Sequence, residues 1–273
     1  LKAIPMGTRL IIVGDADQLP SVGPGNVLRD LIESKCINVV RLRDIFRQAE
    51  ESMIVVNAHK INNGEMPILN KKGKDFYFLN SQESDKILDT LVGLIDKRLP
   101  NFNQDWNKIK DIQILSPMRK GLLGIENLNL RLQEVLNPKT KDKDELEFRD
   151  VTFRVGDKVM QTKNNYNLKW TSIYDHSEEG VGVFNGDVGY ILSINDDKVT
   201  VVFDEDKKVV YDNMYLDELE LAYAMTVHKS QGSEFPVVIM PVFMGPPLLM
   251  NKNLFYTGIT RAKQMIVDRK SVV

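Results

Sequence analysis

The stretch from Ala224 to Phe235, AMTVHKSQGSEF, brings hydroxyls, a carboxamide, an imidazole, an ammonium and a carboxylate into a dozen residues. Ala224, Met225 and Val227 offer apolar anchors, while Thr226, His228, Lys229, Ser230, Gln231, Ser233 and Glu234 crowd around Gly232. Such a density of donors suits a polyanion, because hydroxyls, lysine and exposed backbone amides are the groups that hold phosphates. The bland alternative is a polar, solvated helix closed by a glycine cap. Other polar clusters sit at Asp15 to Gln18, at Arg47, at Ser116 to Gly121 with Arg119, and at Tyr256 to Arg261. Two arginines, an amide and a hydroxyl-rich turn could surround a triphosphate, the guanidinium charge stabilising what develops on the γ-phosphate during transfer. The phosphate cradle itself is missing from these residues. No G-x-x-x-x-G-K-[ST] occurs: Lys229-Ser230 lacks the preceding glycines, and Gly73-Lys74 is followed by Asp75.

These clusters need elements to position them, and apolar runs supply candidates. Arg9 to Val13 reads as a buried parallel strand that delivers Asp15, Asp17 and Gln18 at its carboxyl end, where open α/β sheets place their sites. A magnesium-holding strand ending in Asp is the competing reading. Gly14 separates the strand from Asp15 and no Glu follows, so Gln18 is the better-placed group. Asn26 is a candidate cap for a helix VLRDLIES, Val39 to Leu42 a short strand, and Met53, Ile54, Val55 and Ala58 one face of a helix. Phe76 to Leu79 and Ile112 to Leu115 read as strands, and the segment reaching Arg98 and Ile125 to Leu136 as helices. Strand and helix in alternation imply a parallel α/β sheet.

Near Phe148 the texture changes to short β-like runs, KVMQT, GYILSI, VTVVF and KVVY, separated by turns. Asn185-Gly186 predicts a type I′ hairpin and Asp196-Asp197 a second tight connection. This predicts a small antiparallel barrel inserted into one α/β domain, because α/β texture returns after Leu221: a helix and loop over Ala224 to Phe235, a buried strand at Val237 to Val242, a segment opening at Asn253, and a strand QMIV. Phe153 to Leu216 holds seven Lys and Arg against eleven Asp and Glu, so the barrel is no general nucleic-acid clamp. One face of it, with Lys163, Tyr166, Lys169 and Trp170, could still stack on bases and contact phosphate.

Composition narrows the classes. The 42% hydrophobic and 27% charged residues describe a globular protein, and a net charge of −2 places any nucleic-acid binding in local patches. A single cysteine, Cys36, excludes an internal disulfide, and with three histidines it argues against structural zinc. Neither a signal-peptide pattern nor a run of about eighteen apolar residues occurs, from which a cytoplasmic protein without membrane contact is expected. The chain opens at Leu1 rather than Met, which suggests a fragment of a longer polypeptide.

GDADQLPSVGPG at Gly14 to Gly25, IFRQ at Ile45 to Gln48, FNGDVG at Phe184 to Gly189, TVHKSQGSEF at Thr226 to Phe235 and YTGITRAK at Tyr256 to Lys263 occur in the order seen in superfamily 1 DNA helicases. They resemble motifs III to VI of the RecD-like branch, the exodeoxyribonuclease V alpha subunit family, over nearly the whole chain. The resemblance implies a RecA-like (P-loop NTPase-type) parallel-sheet domain with an inserted SH3-like barrel. Residues 1–40 would be the tail of a first motor domain, 41–148 and 217–273 the two parts of a second, and 149–216 the barrel. It implies an ATP-driven 5′-to-3′ translocase on single-stranded DNA, using ATP and Mg²⁺ in the full-length protein and partnered by its own N-terminal RecA-like domain and, in some relatives, by other exodeoxyribonuclease V subunits. By motif match, Gln18 couples the γ-phosphate to DNA, and Arg47 and Arg261 contact that phosphate. Gly232 and Glu234 face the nucleotide; Thr226, His228, Ser116 and Arg119 lie along the DNA. Walker A and Walker B are missing from this sequence, so a fragment without ATPase is expected. The alternatives are a non-catalytic nucleic-acid or protein binding module, and a relaxase-linked or RNA-directed member of the same superfamily.

Overall fold

The computed structural model describes residues 3–20, 23, 25–42, 51–69, 75–80, 84–242 and 250–270. Its centre is a five-stranded parallel sheet built from β1 (Phe76–Asn80), β2 (Ile112–Ser116), β12 (Ala224–Thr226), β13 (Phe235–Val242) and β14 (Ala262–Lys270), in the order β1-β14-β13-β2-β12. All four pairings are parallel. The strands are apolar on both faces, which is what a sheet covered on both sides requires. Alternate residues part accordingly. Ile112, Ile114, Val237, Ile239, Met265 and Val267 face one apolar cluster, and Leu115, Val238, Met240 and Ile266 the other.

Two helices, α2 (Met53–Asn62) and α5 (Lys252–Ile259), cover the second face, and Met53, Ile54, Ala58, Leu254 and Ile259 are buried in its cluster. Each starts at a side-chain cap. Ser52 Oγ accepts from Val55 N, and Asn251 Oδ1 accepts from Leu254 N at 3.0 Å. The opposite face is covered by α3 (Ser84–Gly93), which runs through a π-helical turn at Leu94–Arg98, and by α4 (Ile125–Leu136).

The antiparallel insertion lies between α4 and β12. A hairpin, β3 (Glu145–Phe148) with β4 (Val151–Arg154), precedes a seven-stranded antiparallel sheet. Its strands are β5 (Lys158–Gln161), β6 (Asn165–Ser172), β7 (Glu179–Val183), β8 (Val188–Asn195), β9 (Lys198–Phe203), β10 (Lys207–Tyr211) and β11 (Leu219–Leu221), in the order β11-β5-β8-β9-β10-β6-β7. First and last strands pair, Val159 opposite Leu221, so the chain leaves and rejoins the α/β domain side by side. Buried amides secure that return. Asn129 donates to the carbonyls of Leu221 and Ala224 and accepts from Ala224 N, while Gln113 donates to the carbonyls of Ala222 and Tyr223.

Several local expectations are corrected. Arg9 to Val13 and Val39 to Leu42 form no strand, and Ile11, Val13, Val40 and Leu42 lie exposed. A strand needs a ladder partner, and no described strand stands beside either segment. Asn26 makes no side-chain cap bond to α1 (Val27–Ser34), which buries none of its residues. The stretch Ala224 to Phe235 opens as a strand rather than a helix, because Ala224 to Thr226 pair with Ile114 to Ser116. The Asn185-Gly186 turn is not a I′ hairpin: only Gly186 has positive φ (102°), and β7 and β8 on either side of it pair with β6 and β5. The I′ signature belongs to Asp196 and Asp197, with φ of 48° and 60°, closing the β8–β9 hairpin.

Candidate functional site

The turn bearing Gln18 is clamped onto the second face of the parallel sheet. Leu19 is buried; its N–H donates to Thr257 Oγ1 on α5 at 2.8 Å, and its carbonyl accepts from Gln231 Nε2 at 2.6 Å. Asn253 Nδ2 donates to the Asp17 carbonyl, Asn62 Nδ2 to Asp17 Oδ2, and Tyr256 Oη to Asp15 Oδ2 at 3.0 Å. Burial, and then the charge of Asp15, raises the Tyr256 hydroxyl well above an ordinary phenol, which keeps it a donor. Gln18 itself donates to Asp15 Oδ2 at 3.1 Å. Asn253, Tyr256, Thr257 and Gln231 thus fix the loop that carries Gln18. Nothing in their spacing within the sequence links them to residues 15–19, since the partners lie more than two hundred positions apart.

The Thr226 to Glu234 segment makes a tight double turn between β12 and β13. Thr226 Oγ1 accepts from Lys229 N, its carbonyl accepts from Ser230 N, and buried Ser230 donates to the Val227 carbonyl. Gly232 sits at φ +85°, a left-handed geometry that side-chain-bearing residues rarely adopt, with open space where a Cβ would project. Arg261 closes the segment from the turn between α5 and β14. The residue is 7% exposed, and its guanidinium donates to the carbonyls of Thr257 and Ser233 (3.3 and 3.0 Å) and to Thr260 Oγ1. No carboxylate contacts it among the described residues. A buried cation with only neutral partners has spare capacity for an anion. Glu234 is exposed and paired with Lys263 at 3.1 Å.

A polar cleft of about 300 Å³ opens between this segment and the inserted sheet, lined by Asn185, Gly186 and Asp187 on one wall and His228, Lys229, Gln231 and Ser233 on the other. Lys229 bridges the walls. Its ammonium donates to the Thr162 carbonyl at 3.2 Å and to Asn185 Oδ1, and partial burial lowers its pKa. Lys229 is therefore a clasp, where donor density alone suggested a phosphate ligand.

Other expected site residues are spread around this centre. Ser116 is fully buried, its hydroxyl donating to the Leu123 carbonyl at 2.7 Å; it shapes the loop rather than lining the cleft. Arg119 is half exposed and held by Glu220 at 2.8 Å and Glu126 at 3.8 Å, the Glu220 hydrogen bond raising its pKa. Thr226 stands beside Ser116 in strand register, and His228 alone of the four expected DNA contacts lines the cleft. Arg47 lies outside the described residues.

A second polar centre fastens the insertion to α4. Buried Asp157 accepts from Gln133 Nε2, Asn137 Nδ2, Arg154 N and Tyr223 Oη at 2.6 to 2.8 Å. Burial raises its carboxyl pKa against those donors. Lys158, one residue on, is also buried, its ammonium donating to the Ile109 carbonyl at 2.8 Å beneath the Phe235 ring.

Comparison with known proteins agrees with this architecture. A family model described as the ATP-dependent RecD-like DNA helicase SH3 domain matches residues 128–203, one described as the UvrD-like helicase C-terminal domain matches 221–267, and an AAA domain model matches 1–81. Over 96% of its length the chain is 32% identical to the ATP-dependent RecD2 DNA helicase of Deinococcus radiodurans, covering 33% of that protein. It is 26% identical to the RecBCD enzyme subunit RecD of Mycolicibacterium smegmatis, covering 46% of it. The chain thus spans between a third and a half of these relatives. Among solved structures, Bacteroides Pif1 bound to single-stranded DNA aligns with 98% of this chain and 63% of its own at a TM-score of 0.52 and 18% identity, a likeness of fold.

Proposed function

From a chain whose residues 128–203 match the RecD-like DNA helicase SH3 domain and 221–267 the UvrD-like helicase C-terminal domain, we propose the C-terminal part of an ATP-dependent 5′-to-3′ helicase that translocates on single-stranded DNA. The observation that carries this reading is the convergence at Leu19, where the Gln18 turn, Gln231 of the double turn and Thr257 of α5 share hydrogen bonds. A group sensing phosphate at Gln18 is thereby mechanically tied to the cleft beside His228. Arg261 fits a γ-phosphate, being buried with no carboxylate against it among the described residues, and Gly232 and Glu234 lie on the same turn. ATP, when bound, supplies the driving reaction. These residues bind its phosphates, orient them and pass the change to the DNA side.

Among the described residues no group of three or more His, Cys, Asp or Glu is placed to hold a metal ion. On this reading the Mg²⁺ ligands and phosphate-cradling lysine belong to a first RecA-like domain of the longer protein. Residues 1–40 form that domain's edge, which agrees with the exposed Ile11, Val13 and Val40. Residues 41–148 and 217–273 form the second motor domain around the barrel at 149–216. Relatives named as RecBCD subunits favour other exodeoxyribonuclease V subunits as partners of the full-length protein. The chain by itself hydrolyses no ATP, with or without single-stranded DNA. Phosphate release measured on the purified 273-residue chain tests this, and DNA-stimulated turnover would overturn the assignment of roles.

A further inference from the structure

Beside the cleft two large aromatic rings face solvent. Tyr166 is 66% and Phe184 44% exposed, their centroids 5.7 Å apart and their planes at 72°. Neither builds core, yet both are held. Tyr166 sits in an irregularity of the β6–β7 ladder between Asn165 and Lys169, fixed by Asn165 Oδ1, which accepts from the N–H groups of Asn167 and Leu168. Such bulges re-aim side chains. The Phe184 ring lies over Gly182, where a Cβ would stand 3.0 Å from Phe184 Cζ, and Phe184 N donates to Asp187 Oδ2 at 2.8 Å. Trp170 contrasts with them: its ring is seated on Gly180 with Lys207 above it, so it is committed internally.

The pair is continuous with the cleft. Phe184 precedes Asn185, which lines the cleft wall and is clasped by Lys229, and Asn185 N donates to Asn164 Oδ1 two residues before Tyr166. An edge-to-face pair cannot close both rings on each other, so a ring face stays open to a third planar group. The surrounding insertion is acidic, and Lys163 is paired with Asp217, which disfavours phosphate as the group held there. A nucleobase has an apolar face that any aromatic ring accepts, and polar edges that suit the neighbouring carboxamide. We propose that Tyr166 and Phe184 form a stacking step for an unpaired base of single-stranded DNA leaving the cleft. The step rests on the DNA-binding reading above and adds to it a site on the inserted sheet, with bases rather than phosphates as its ligand.

The test is fluorescence anisotropy of the full 273-residue chain with a labelled oligo-deoxythymidine, at several salt concentrations, for the wild type, Tyr166→Ala/Phe184→Ala and the gentler Phe184→Leu. A matched oligonucleotide with abasic positions replaces the bases in a parallel series. The double variant is expected to bind about tenfold more weakly, with an unchanged salt slope because no phosphate contact is lost. Phe184→Leu keeps the packing on Gly182 and shows the same direction of loss. The abasic oligonucleotide penalises the wild type but not the double variant. Equal affinity of wild type and variants, or an equal abasic penalty in both, overturns the stacking step while leaving DNA binding intact. A wild type that binds no single-stranded DNA overturns the DNA reading together with this proposal.

Discussion

Replacing Lys158 with Met should make the protein more stable at neutral pH and flatten its alkaline stability profile. Lys158 is 1% exposed, and burial, opposed by the charge of Asp111, pulls its pKa from 10.5 to about 7. Because the folded value lies below the unfolded one, the unfolded chain binds more protons between pH 7 and 10.5, and stability rises with pH across that window. The slope approaches about 1.4 kcal/mol per pH unit, and the whole window amounts to roughly 5 kcal/mol. Lys158→Met removes the proton uptake but leaves the Ile109 carbonyl without its donor, at a cost of about 1 to 3 kcal/mol. The variant should therefore exceed the wild type by about 2 to 4 kcal/mol at pH 7, with the gap closing as pH rises toward 10. Urea denaturation followed by circular dichroism at pH 7, 8, 9 and 9.5 measures it. A difference between the two proteins that stays constant across this range would refute the reasoning.

Asp157→Ala leaves four buried donors around an empty site and should lower unfolding free energy by about 3 kcal/mol or more in the same denaturation assay. Gly232→Ala meets no steric obstacle, so only the positive φ opposes it, and a loss of about 1 kcal/mol or slightly more is expected from thermal melts. Lys229→Met removes the clasp between the cleft walls; it should cost about 1 kcal/mol and speed proteolysis near Asn185, read by limited digestion.

The parallel sheet and most helix limits were legible because they rest on local periodicity. Ile125 to Leu136 is helical over the span its apolar spacing marks, and Ile112 to Leu115 a strand buried throughout. Failures came where a second element decides. The run at Arg9 to Val13 has the composition of a strand but no described neighbour to pair with, and Ala224 to Thr226 became a strand because Ile114 to Ser116 lie alongside. Asn185-Gly186 carries hairpin chemistry, yet the flanking strands pair elsewhere, whereas the tight connection expected at Asp196-Asp197 does close the β8–β9 hairpin. Within the site, residue types and motif order nominated His228, Gln18 and Arg261 as candidates. The anchoring of residues 15–19 by Asn253, Thr257 and Gln231, and the turning of Lys229 from ligand to clasp, depend on contacts across the fold that no window of sequence contains. The bond from the Ser116 hydroxyl to the Leu123 carbonyl is likewise a contact between segments that local pattern does not reveal.

The central claim is a division of labour, with DNA at His228 in the cleft and nucleotide phosphate at Arg261. A salt titration of single-stranded DNA binding by the wild-type chain, His228→Ala and Arg261→Ala tests it most directly. His228→Ala should weaken binding roughly fivefold, the loss of about one hydrogen bond, while Arg261→Ala stays within about twofold of wild type. Equal losses in the two variants would contradict the account.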